Sequence, residues 1–550
     1  MNPSILALIA LTGCWSSPPG DLPAGDADTP DIVFVSIDTL RADHLSSYGY
    51  ARQTSPFLDQ LAADGVRYAH ARSASPWTLP AHTTMFTGQL PATHRVVDDN
   101  LALSTDVPVL PTLLQQAGYK TAGLVSTLYV SRKFGFERGF DYFNDFGINT
   151  EKENLHGDLK ASDVVDDALR WWSKQDQGEP VFLFLHFYDV HYTYDPPAPY
   201  DAMFDRPPQK GDQRYKNYFY FKRNPLDEAQ MTHQIAQYDE AIRYVDDQLK
   251  RIADASEKAG RQIRWVVTSD HGEEFGERGS WGHAHTLYTE QLHVPLIVSG
   301  PGIPADTVLE KPVGNHDFAP TIASWAGVAD QLEADGIDLN PSFEGGDAVL
   351  PERAFLAETT RFKTNRLSLL HKGLRLEWDL HANKAELYNP TLDPDEQIDL
   401  SKRMYPMRAE MQRKAIELLG VDWQATQAGA LTLGTRAFVL SADGRQRSAQ
   451  ITPHDCFLVL PYDADVTFTP AEGPKQGPWR SVGGQTPGDG QGLVLLRETL
   501  ADTQALTEED KQKLIAIGYM QEDDEGGITA ASIQPVEALP GNLRKCAPLP

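Results

Sequence analysis

The chain has 550 residues, enough for one large domain with one or two smaller units. Hydrophobic residues make up 41% of it, and no apolar run reaches the roughly 18 residues that a membrane-spanning helix needs. The net charge of −28 argues against nucleic acid and anionic lipid surfaces as partners, although a bound cation still permits an anionic substrate.

The first residues form a short apolar stretch that ends in Leu11-Thr-Gly-Cys14. This pattern predicts a bacterial lipoprotein signal over residues 1–14, with Cys14 as the lipidated residue. The alternative is an apolar leader with an accidental cysteine, because no Lys or Arg precedes the apolar part. Residues 15–30, rich in Pro, Gly and Asp, are typical of a flexible tether. We therefore expect an exported protein of the cell envelope, periplasmic or on the outer surface, that contacts the membrane only through a lipid anchor.

From Asp31 onward, apolar segments alternate with amphipathic ones, as a mostly parallel sheet with flanking helices requires. Residues 31–350 are therefore expected to form one large α/β domain, with a surface insertion at 198–230. The predicted strands are 31–37, 121–125, 181–186 and 265–269, and the predicted helices are 57–64, 110–117, 162–174, 231–258 and 318–325.

The pattern changes to shorter strands from Arg353 onward. Residues 374–379 face 385–388 across a turn, and a helix is predicted at 405–419. This pattern predicts a smaller subdomain with an antiparallel sheet within residues 351–424.

The last part of the chain contains no motif that predicts a catalytic or binding site. Residues 425–500 hold short β-type runs among Gly and Pro, which indicates a small β module or an insertion. Residues 501–550 predict a helix at 507–518 followed by an acidic tail. Cys456 and Cys546 leave a disulfide open as a possibility in an exported protein.

Two of the predicted strands end in acidic residues. Asp38 follows the strand 31–37, whereas Asp270 and His271 follow the strand 265–269. In a parallel α/β sheet, ligands gather at the carboxyl ends of the strands. Carboxylate oxygens beside an imidazole suit a divalent cation. The sequence therefore predicts a metal site formed by Asp38, Asp270 and His271.

A third segment, Thr78-Leu-Pro-Ala-His82, runs on to Thr87-Gly88. Pro80 can occupy the first turn of a helix, which places Thr78 just before that helix, where free N–H groups and the helix dipole favour an anion. A hydroxyl held there beside a cation is a candidate nucleophile and a further metal ligand. A threonine that only caps the helix of an inactive protein is the alternative.

These segments together resemble the sulfatase family, a branch of the alkaline phosphatase superfamily. The motif Cys/Ser-x-Pro-Ser-Arg of that family, which runs on to Thr-Gly, corresponds to Thr78–His82 and Thr87-Gly88. The likeness continues through about residue 420, in segments 182–191, 194–197, 293–302, 315–322, 386–390 and 393–396. It implies a three-layer α/β sandwich with a mostly parallel central sheet, a smaller C-terminal antiparallel subdomain, an anionic ester substrate and one divalent ion, calcium in the family.

Thr78 departs from the pattern of that family, in which a Cys or Ser is oxidised to formylglycine. Threonine carries a methyl group on the carbon that bears the heteroatom, so it cannot yield the aldehyde, and no formylglycine is expected. An unmodified Thr must instead form a covalent ester that water then opens, as in the related nucleotide pyrophosphatases and lipoteichoic acid synthases. This chemistry favours phosphate or phosphonate esters, whereas the resemblance indicates sulfate esters.

Several histidines stand at positions where the family has residues that contact the substrate anion. His82 stands where the motif has Arg, His191 matches the histidine directed at the leaving oxygen, and His283 or His285 replaces an anion-binding lysine. These four residues are candidate catalytic residues. Thr39 replaces a second Asp, and the smaller number of carboxylates makes manganese or zinc credible beside calcium.

The leading hypothesis is a metal-dependent hydrolase of sulfate or phosphate-type esters in which the metal activates Thr78. The second hypothesis is a phosphodiesterase, a phosphonate hydrolase or a head-group transferase. The third is an inactive binding protein that kept the fold. We expect Arg41, Glu273 and Glu274 either to contact the metal ligands and catalytic residues without touching the substrate, or to lie at the surface.

Overall fold

The computed structural model describes residues 21–25, 29–146, 159–209, 225–380, 382 and 384–420, together with individual strands between residues 423 and 503 and Thr507. The predicted signal with Cys14, most of the predicted tether, Cys546 and the predicted helix after Thr507 lie outside the described residues. Among the helices that the structure describes, we find no segment with the length and hydrophobicity of a bilayer-spanning helix.

The first 420 residues contain sixteen described strands and ten described α-helices. In chain order the strands are β1 (Asp31–Ile37), β2 (Gly65–Arg72), β3 (Leu101–Leu103), β4 (Lys120–Leu124), β5 (Tyr142–Asn144), β6 (Val181–Phe187), β7 (Ile263–Thr268), β8 (Glu274–Phe275), β9 (Trp281–Gly282), β10 (His293–Ser299), β11 (Thr307–Leu309), β12 (Val313–Gly314), β13 (Phe355–Thr359), β14 (Arg366–His371), β15 (Leu374–Asp379) and β16 (Lys384–Tyr388). The helices are α1 (Pro56–Ala63), α2 (Thr78–Thr87), α3 (Pro91–His94), α4 (Leu110–Gln116), α5 (Ala161–Trp172), α6 (Glu228–Lys258), α7 (Thr289–Leu292), α8 (Phe318–Trp325), α9 (Asn340–Gly345) and α10 (Tyr405–Leu419).

Nine strands form the central sheet, in the order β11–β2–β10–β7–β1–β6–β4–β5, with β12 beside β2. β7, β1, β6, β4 and β5 run parallel, and β10 runs antiparallel to both of its neighbours. Every residue of β1 and β6 is buried, which is expected of central parallel strands covered on both faces. The predicted mostly parallel sheet is confirmed.

Alternate residues of β1 enter two separate hydrophobic cores. Ile32 and Phe34 pack in a core that also holds residues of α2 and α8, whereas Val33 and Val35 pack with residues of α5 and α6. Successive side chains of a strand point to opposite faces, so the two cores lie on opposite faces of the sheet. Helices therefore cover both faces, and the predicted three-layer sandwich is confirmed.

All the strands and helices predicted for the large domain are present, with boundaries within three residues of the prediction. The prediction lacked β2, because Gly65 reads as a helix stop and polar residues follow it. A Cβ atom at Gly65 would lie 2.2 Å from the carbonyl oxygen of Val298 on β10. Gly65 therefore both follows the helix and permits the close approach of β2 to β10.

A second sheet is antiparallel and has the order β13–β14–β15–β16. In it Trp378 of β15 lies opposite Ala385 of β16, and α10 packs against β14 and β15. This arrangement confirms the predicted C-terminal antiparallel sheet and the helix at 405–419.

Two further antiparallel sheets follow, in the orders β19–β21–β17–β24 and β20–β18–β22–β23. A last strand, β25, pairs with β3 of the large domain. Their bounds are β17 (Trp423–Ala425), β18 (Gly429–Leu433), β19 (Phe438–Ser441), β20 (Gln450–Ile451), β21 (Cys456–Leu460), β22 (Asp465–Pro470), β23 (Trp479–Arg480), β24 (Leu493–Leu495) and β25 (Ala501–Thr503).

Candidate metal centre and active site

The site lies at the carboxyl ends of two neighbouring strands. β1 and β7 pair in parallel, with Ser36 opposite Thr268, so the residues that follow each strand meet at one edge of the sheet. Asp38 follows β1, and Asp270 and His271 follow β7 by two and three residues. The three side chains are fully buried. The sheet topology therefore brings together residues that are far apart in the chain.

The distances among these side chains suit a single cation. His271 Nε2 lies 3.3 Å from Asp270 Oδ2 and 3.6 Å from Asp38 Oδ1. One ligand atom from each of Asp38, Asp270 and His271 lies within 4.8 Å of the other two. Thr78 Oγ1 lies 3.5 Å from His271 Nε2, so the hydroxyl lies beside the ring of one of these three residues.

Most of the carboxylate oxygens of Asp38 and Asp270 lack a hydrogen-bond partner among the described residues. Oδ1 and Oδ2 of Asp38 have no hydrogen-bond partner among the described residues, and the same holds for Oδ2 of Asp270. Burial raises the pKa of Asp38 to about 7, and burial followed by the charge of Asp38 raises the pKa of Asp270. Buried charges are normally paired or bound to metals, so a divalent cation fits this donor set.

The proton of His271 is placed so that the ring can bind a cation. Its Nδ1 lies 3.0 Å from the carbonyl oxygen of Gly272, which accepts a hydrogen bond and therefore fixes the proton on Nδ1. Nε2 then offers its lone pair to the site. Gly272 also permits a close approach, since a Cβ atom there would lie 2.1 Å from the carbonyl oxygen of Glu290.

Thr39 occupies a strained turn beside the metal centre. Its φ of 59° is uncommon for a β-branched residue. The Thr39 amide donates to Asp270 Oδ1 at 3.3 Å, and its hydroxyl donates to the carbonyl oxygen of Val190 at 2.9 Å. The turn therefore fixes the Asp270 carboxylate, whereas the Thr39 side chain bonds to a neighbouring loop.

Thr78 is the first residue of α2 rather than the residue before it. Trp77 precedes the helix in an extended conformation, and all ten residues of α2 are buried. The interpretation of Thr78 as a simple helix cap is therefore wrong in detail, because the helix already includes it. Its hydroxyl faces the metal centre at the amino end of a helix, where the dipole favours negative charge.

His82 lies one turn further along α2 and is already satisfied by hydrogen bonds. Its Nδ1 donates to the carbonyl oxygen of Thr78 at 2.9 Å, so Nε2 accepts from Ser36 Oγ at 2.9 Å. Burial lowers the pKa of His82 to about 3, which keeps the ring neutral. The contacts of His82 therefore hold the backbone of Thr78 in place.

Two of the predicted catalytic histidines form a row beside the metal centre. The ring centroid of His283 lies 4.5 Å from that of His271 and 4.9 Å from that of His191. Nδ1 of His191 donates to the carbonyl oxygen of Tyr192 at 2.8 Å, and its Nε2 lies 3.5 Å from the hydroxyl of Tyr188. Burial, followed by the charges of the neighbouring histidines, lowers the pKa of His283 well below its usual range.

His285 is directed elsewhere. Its Nδ1 donates to the carbonyl oxygen of His283 at 2.8 Å, and its Nε2 lies 2.5 Å from Ser280 Oγ and 3.1 Å from Glu274 Oε2. Of the two histidines proposed to replace the lysine, the structure thus brings the ring of His283 to the metal centre, and the described partners of His285 lie outside it.

The supporting residues are buried, so the alternative that they lie at the surface is wrong. Glu273 accepts a short hydrogen bond from the hydroxyl of Tyr194 and lies 3.2 Å from His283 Nδ1. Arg41 donates to the backbone carbonyl of Glu273 at 3.0 Å. Glu274 is fully buried, like Glu273.

His186 was missed by the sequence analysis. It lies at the end of β6, with Nε2 3.4 Å from Asp38 Oδ2 and Nδ1 3.2 Å from Ser126 Oγ. The Ser126 hydroxyl also donates to the His186 carbonyl at 2.8 Å. A histidine inside an otherwise apolar, fully buried strand is the signal that could have revealed it.

Known proteins resemble this chain in sequence and in fold. An N-acetylglucosamine-6-O-sulfatase of Bacteroides thetaiotaomicron is 23% identical over 513 residues, which cover 76% of this chain and 90% of that protein. A choline-sulfatase of Rhizobium meliloti is 24% identical and covers 67% of this chain and 84% of that protein. The structure of a phosphonate monoester hydrolase of Agrobacterium radiobacter has a TM-score of 0.59 and 20% identity, and covers 71% of this chain and 95% of that chain.

The sequence model of the sulfatase family matches residues 30–328, which is more than half of the 550 residues. This region contains Asp38, Thr78, Asp270 and His271. The resemblance inferred from short motifs is thereby confirmed. The chain belongs to the sulfatase family of ester hydrolases.

Proposed function

We propose that this protein hydrolyses phosphate-type esters, with Thr78 as the nucleophile. The observation that carries the proposal is the position of Thr78 Oγ1, 3.5 Å from His271 Nε2 in a fully buried cluster with Asp38 and Asp270. A threonine cannot become the formylglycine that sulfatases use. Its hydroxyl must therefore act directly.

Asp38, Asp270, His271 and the Thr78 oxygen would hold one divalent cation. Bound there, such an ion supplies positive charge that lowers the pKa of the Thr78 hydroxyl and stabilises charge that develops on the ester. Two carboxylates with one imidazole are compatible with manganese or zinc as well as with calcium, the ion that the family resemblance implies.

In the proposed reaction the Thr78 oxygen forms a bond to phosphorus while the ester bond to the leaving alcohol breaks. The hydroxyl proton of Thr78 passes to solvent or to a neighbouring base, and the leaving oxygen takes up a proton. Water then cleaves the covalent Thr78 ester and restores the hydroxyl. The hydrogen bond from His82 to the Thr78 carbonyl fixes the start of α2 during both steps.

In this proposal His191 and His283 serve the leaving group. Because Nδ1 of His191 donates to the Tyr192 carbonyl, proton exchange at that ring is confined to Nε2. Glu273 lies against Nδ1 of His283 and orients that ring in the same way. The two rings therefore form a row through which a proton can reach the leaving oxygen.

The relatives support two ester classes. The phosphonate monoester hydrolase acts on a phosphorus ester and shares the fold, which favours the class proposed here. The sulfatases of Bacteroides thetaiotaomicron and Rhizobium meliloti support a second candidate, the hydrolysis of sulfate esters. Attack by Thr78 serves both, because sulfuryl and phosphoryl groups accept the same in-line nucleophile.

One experiment separates these possibilities. Aryl sulfate, phosphate monoester, phosphodiester and phosphonate substrates are assayed with added Ca²⁺, Mn²⁺ or Zn²⁺, comparing the wild type with Thr78→Ala and Thr78→Ser. We expect turnover of phosphorus esters that Thr78→Ala abolishes and Thr78→Ser partly retains. Turnover of aryl sulfate alone would favour the second candidate, transfer to an added alcohol would indicate a head-group transferase, and metal binding without any turnover would indicate a binding protein.

We also propose that the protein is exported and anchored to the cell envelope through Cys14. The apolar stretch that ends in Leu11-Thr-Gly-Cys14 supports this proposal. Radiolabelled palmitate should be incorporated into the wild type and not into Cys14→Ala, and the variant should leave the membrane fraction. A membrane-bound Cys14→Ala protein would contradict the anchor.

A further inference from the structure

Residues 21–25 of the predicted tether pack against the large domain. Leu22 is only 8% exposed and belongs to the hydrophobic core that also holds residues of α5 and α6. The carbonyl oxygen of Ala24 accepts a hydrogen bond from the amide of Gly178 at 3.0 Å. We call residues 21–25 the docked segment, because both its backbone and a buried side chain contact the domain.

Arg261 joins the docked segment to the start of β1. Its Nη1 donates to the carbonyl oxygens of Pro23 and Ala24, at 3.1 Å and 3.3 Å. The same guanidinium donates to both carboxylate oxygens of Asp31, the first residue of β1, at 2.6 Å each. Hydrogen bonds from a charged guanidinium to a carboxylate are stronger than neutral ones. The docked segment is therefore held at the amino ends of the parallel strands.

The helix α6 shows how far the docked segment lies from the metal centre. The last residue of the helix, Lys258, forms an ion pair with Asp21 of the docked segment. Earlier in the helix, the hydroxyl of Tyr238 donates to the carbonyl oxygen of Thr39, which adjoins the metal centre, at 2.8 Å. The part of the helix between Tyr238 and Lys258 spans about 30 Å, and the whole helix spans about 46 Å. The docked segment and the metal centre thus lie at opposite edges of the sheet.

The chain between the proposed anchor at Cys14 and the docked segment is short. The seven residues from Cys14 to Asp21 cover at most about 25 Å, whatever their conformation. If the site faced the membrane, the start of α6 would lie near the lipid and the docked segment would stand about 46 Å above it. The anchor could not reach that far. The amino ends of the strands must therefore face the membrane.

We propose that the docked segment turns the active site away from the membrane that carries the protein, so that the site takes water-soluble esters and not the lipid head groups of that membrane. The inference rests on the proposed function, because it uses both the anchor at Cys14 and ester hydrolysis at Thr78. A lipid head group and a water-soluble ester can share one phosphodiester chemistry. The direction from which the substrate can approach is what separates them.

Energy transfer to the membrane tests the orientation and requires no turnover. The full-length lipidated protein, with Cys456→Ser and Cys546→Ser, is reconstituted in phosphatidylcholine vesicles that contain acceptor-labelled lipid. The donor dye is attached to Gln177→Cys, beside the docked segment, or to Ala229→Cys, in the first turn of α6, since both positions are exposed. We expect several-fold more transfer from Gln177→Cys than from Ala229→Cys. Equal transfer from both, or more from Ala229→Cys, would overturn the inference.

Release of the docked segment should remove this difference. Leu22→Asp places a charge where an apolar side chain is buried, so the segment should leave the domain. The seventeen residues from Cys14 to Asp31 could then span about 60 Å, which is enough to turn the site towards the lipid. Transfer from Ala229→Cys should rise towards that from Gln177→Cys. A difference that persists in Leu22→Asp would overturn the inference.

Two further variants keep this comparison decisive. Asp21→Asn is the matched control, because its ion pair with Lys258 is exposed and contributes little, so the wild-type difference should remain. Insertion of about thirty Gly and Ser residues after Ser17 lengthens the chain before the docked segment and leaves the domain unchanged. This insertion should abolish the difference even if Leu22→Asp does not fold. A wild-type difference in the insertion variant would overturn the inference.

A substrate comparison then tests the ester class. A 4-nitrophenyl phosphodiester is supplied either in water-soluble form or as the head group of a lipid in the same vesicle. The anchored wild type should cleave only the soluble form, whereas the insertion variant should cleave both. Cleavage of the lipid form by the wild type at the soluble rate would overturn the inference.

The outcomes separate this inference from the proposals on which it rests. No turnover of either ester would reject ester hydrolysis and the substrate class, but not the orientation that energy transfer measures. A wild type that does not sediment with the vesicles would reject the anchor and the inference together. An anchored wild type with equal transfer from both dye positions would reject the inference alone.

Discussion

Thr78 Oγ1 lies 3.5 Å from His271 Nε2, although the two residues are 193 positions apart in the chain. The contact forms because α2 begins at Thr78 and because His271 follows the end of β7. Both groups are fully buried beside Asp38. The arrangement therefore unites a hydroxyl, an imidazole and a carboxylate where one cation can contact all three.

His186 should matter for metal affinity. Its Nε2 lies 3.4 Å from Asp38 Oδ2, and removal of a group that orients a metal ligand typically lowers affinity about tenfold or more. We expect His186→Gln to weaken Mn²⁺ binding by about that factor, measured by calorimetry. His94→Gln is the control, because His94 is a buried histidine bonded to Thr84. Equal affinities of His186→Gln and wild type would refute the role.

The metal-free protein should lose stability as the pH rises. The folded-state pKa of Asp38 is raised to about 7, so the folded protein binds more protons than the unfolded chain between about pH 4 and 7. The free energy of unfolding therefore falls across this window, by up to roughly 4 kcal/mol, and levels off above it. Thermal melting in EDTA should show this fall, and Asp38→Asn should reduce it.

Added Mn²⁺ should stabilise the protein more strongly as the pH rises, because the cation binds the deprotonated carboxylate. The increase in Tm upon metal addition should therefore grow from pH 5 to pH 7 in the wild type. A metal-induced increase that is as large in Asp38→Asn as in the wild type would contradict the assignment of Asp38 as a ligand.

His82 should support catalysis without holding the metal. His82→Phe removes the hydrogen bond to the Thr78 carbonyl and leaves the buried Ser36 hydroxyl unsatisfied, which costs about 1–3 kcal/mol of stability. We expect a lower kcat with little change in Mn²⁺ affinity. His94→Phe should cause a comparable loss of stability without the loss of kcat. Unchanged kcat in His82→Phe would show that the position of Thr78 does not depend on it.

His283 and His285 should have separable effects. His283→Gln should lower kcat, because the ring of His283 stands between His271 and His191. His285→Gln should instead affect stability in acid. Burial opposes the ionisation of Glu274, but the hydrogen bond from His285 outweighs burial and lowers the pKa of Glu274 to about 2. The contact between Glu274 and His285 therefore stabilises the folded protein above about pH 4.5, and this stabilisation is lost towards pH 2.

The two measurements are kcat at neutral pH and acid-induced unfolding followed by circular dichroism. His285→Gln should unfold at a higher pH than the wild type, because the contribution of Glu274 is reduced. A larger loss of kcat in His285→Gln than in His283→Gln would reverse the assignment.

The residues of the candidate metal centre could be predicted because each stands at a recognisable boundary. Asp38 and Asp270 end apolar strands, and Thr78 precedes a proline suited to the first turn of a helix. The parallel order of β1 and β7 then brings them together. Local patterns were sufficient here, since neighbouring parallel strands place their ends at one edge of the sheet.

Residues whose position depends on tertiary packing escaped prediction. His186 faces Asp38 because β6 pairs with β1 in a register that sets it opposite Ser36. The choice between His283 and His285 depends on Ala284, whose φ of 74° turns the chain between them. No local pattern encodes these features.

The most direct test of the account is to trap the covalent intermediate. The Mn²⁺-loaded protein is mixed with a phosphonate or phosphodiester substrate, quenched in acid within one turnover, and digested for peptide mass spectrometry. The account predicts a phosphoryl or phosphonyl group on Thr78 in the wild type and none in an inactive Thr78→Ala variant. Turnover by Thr78→Ala at the wild-type rate, or an adduct on another residue, would contradict it.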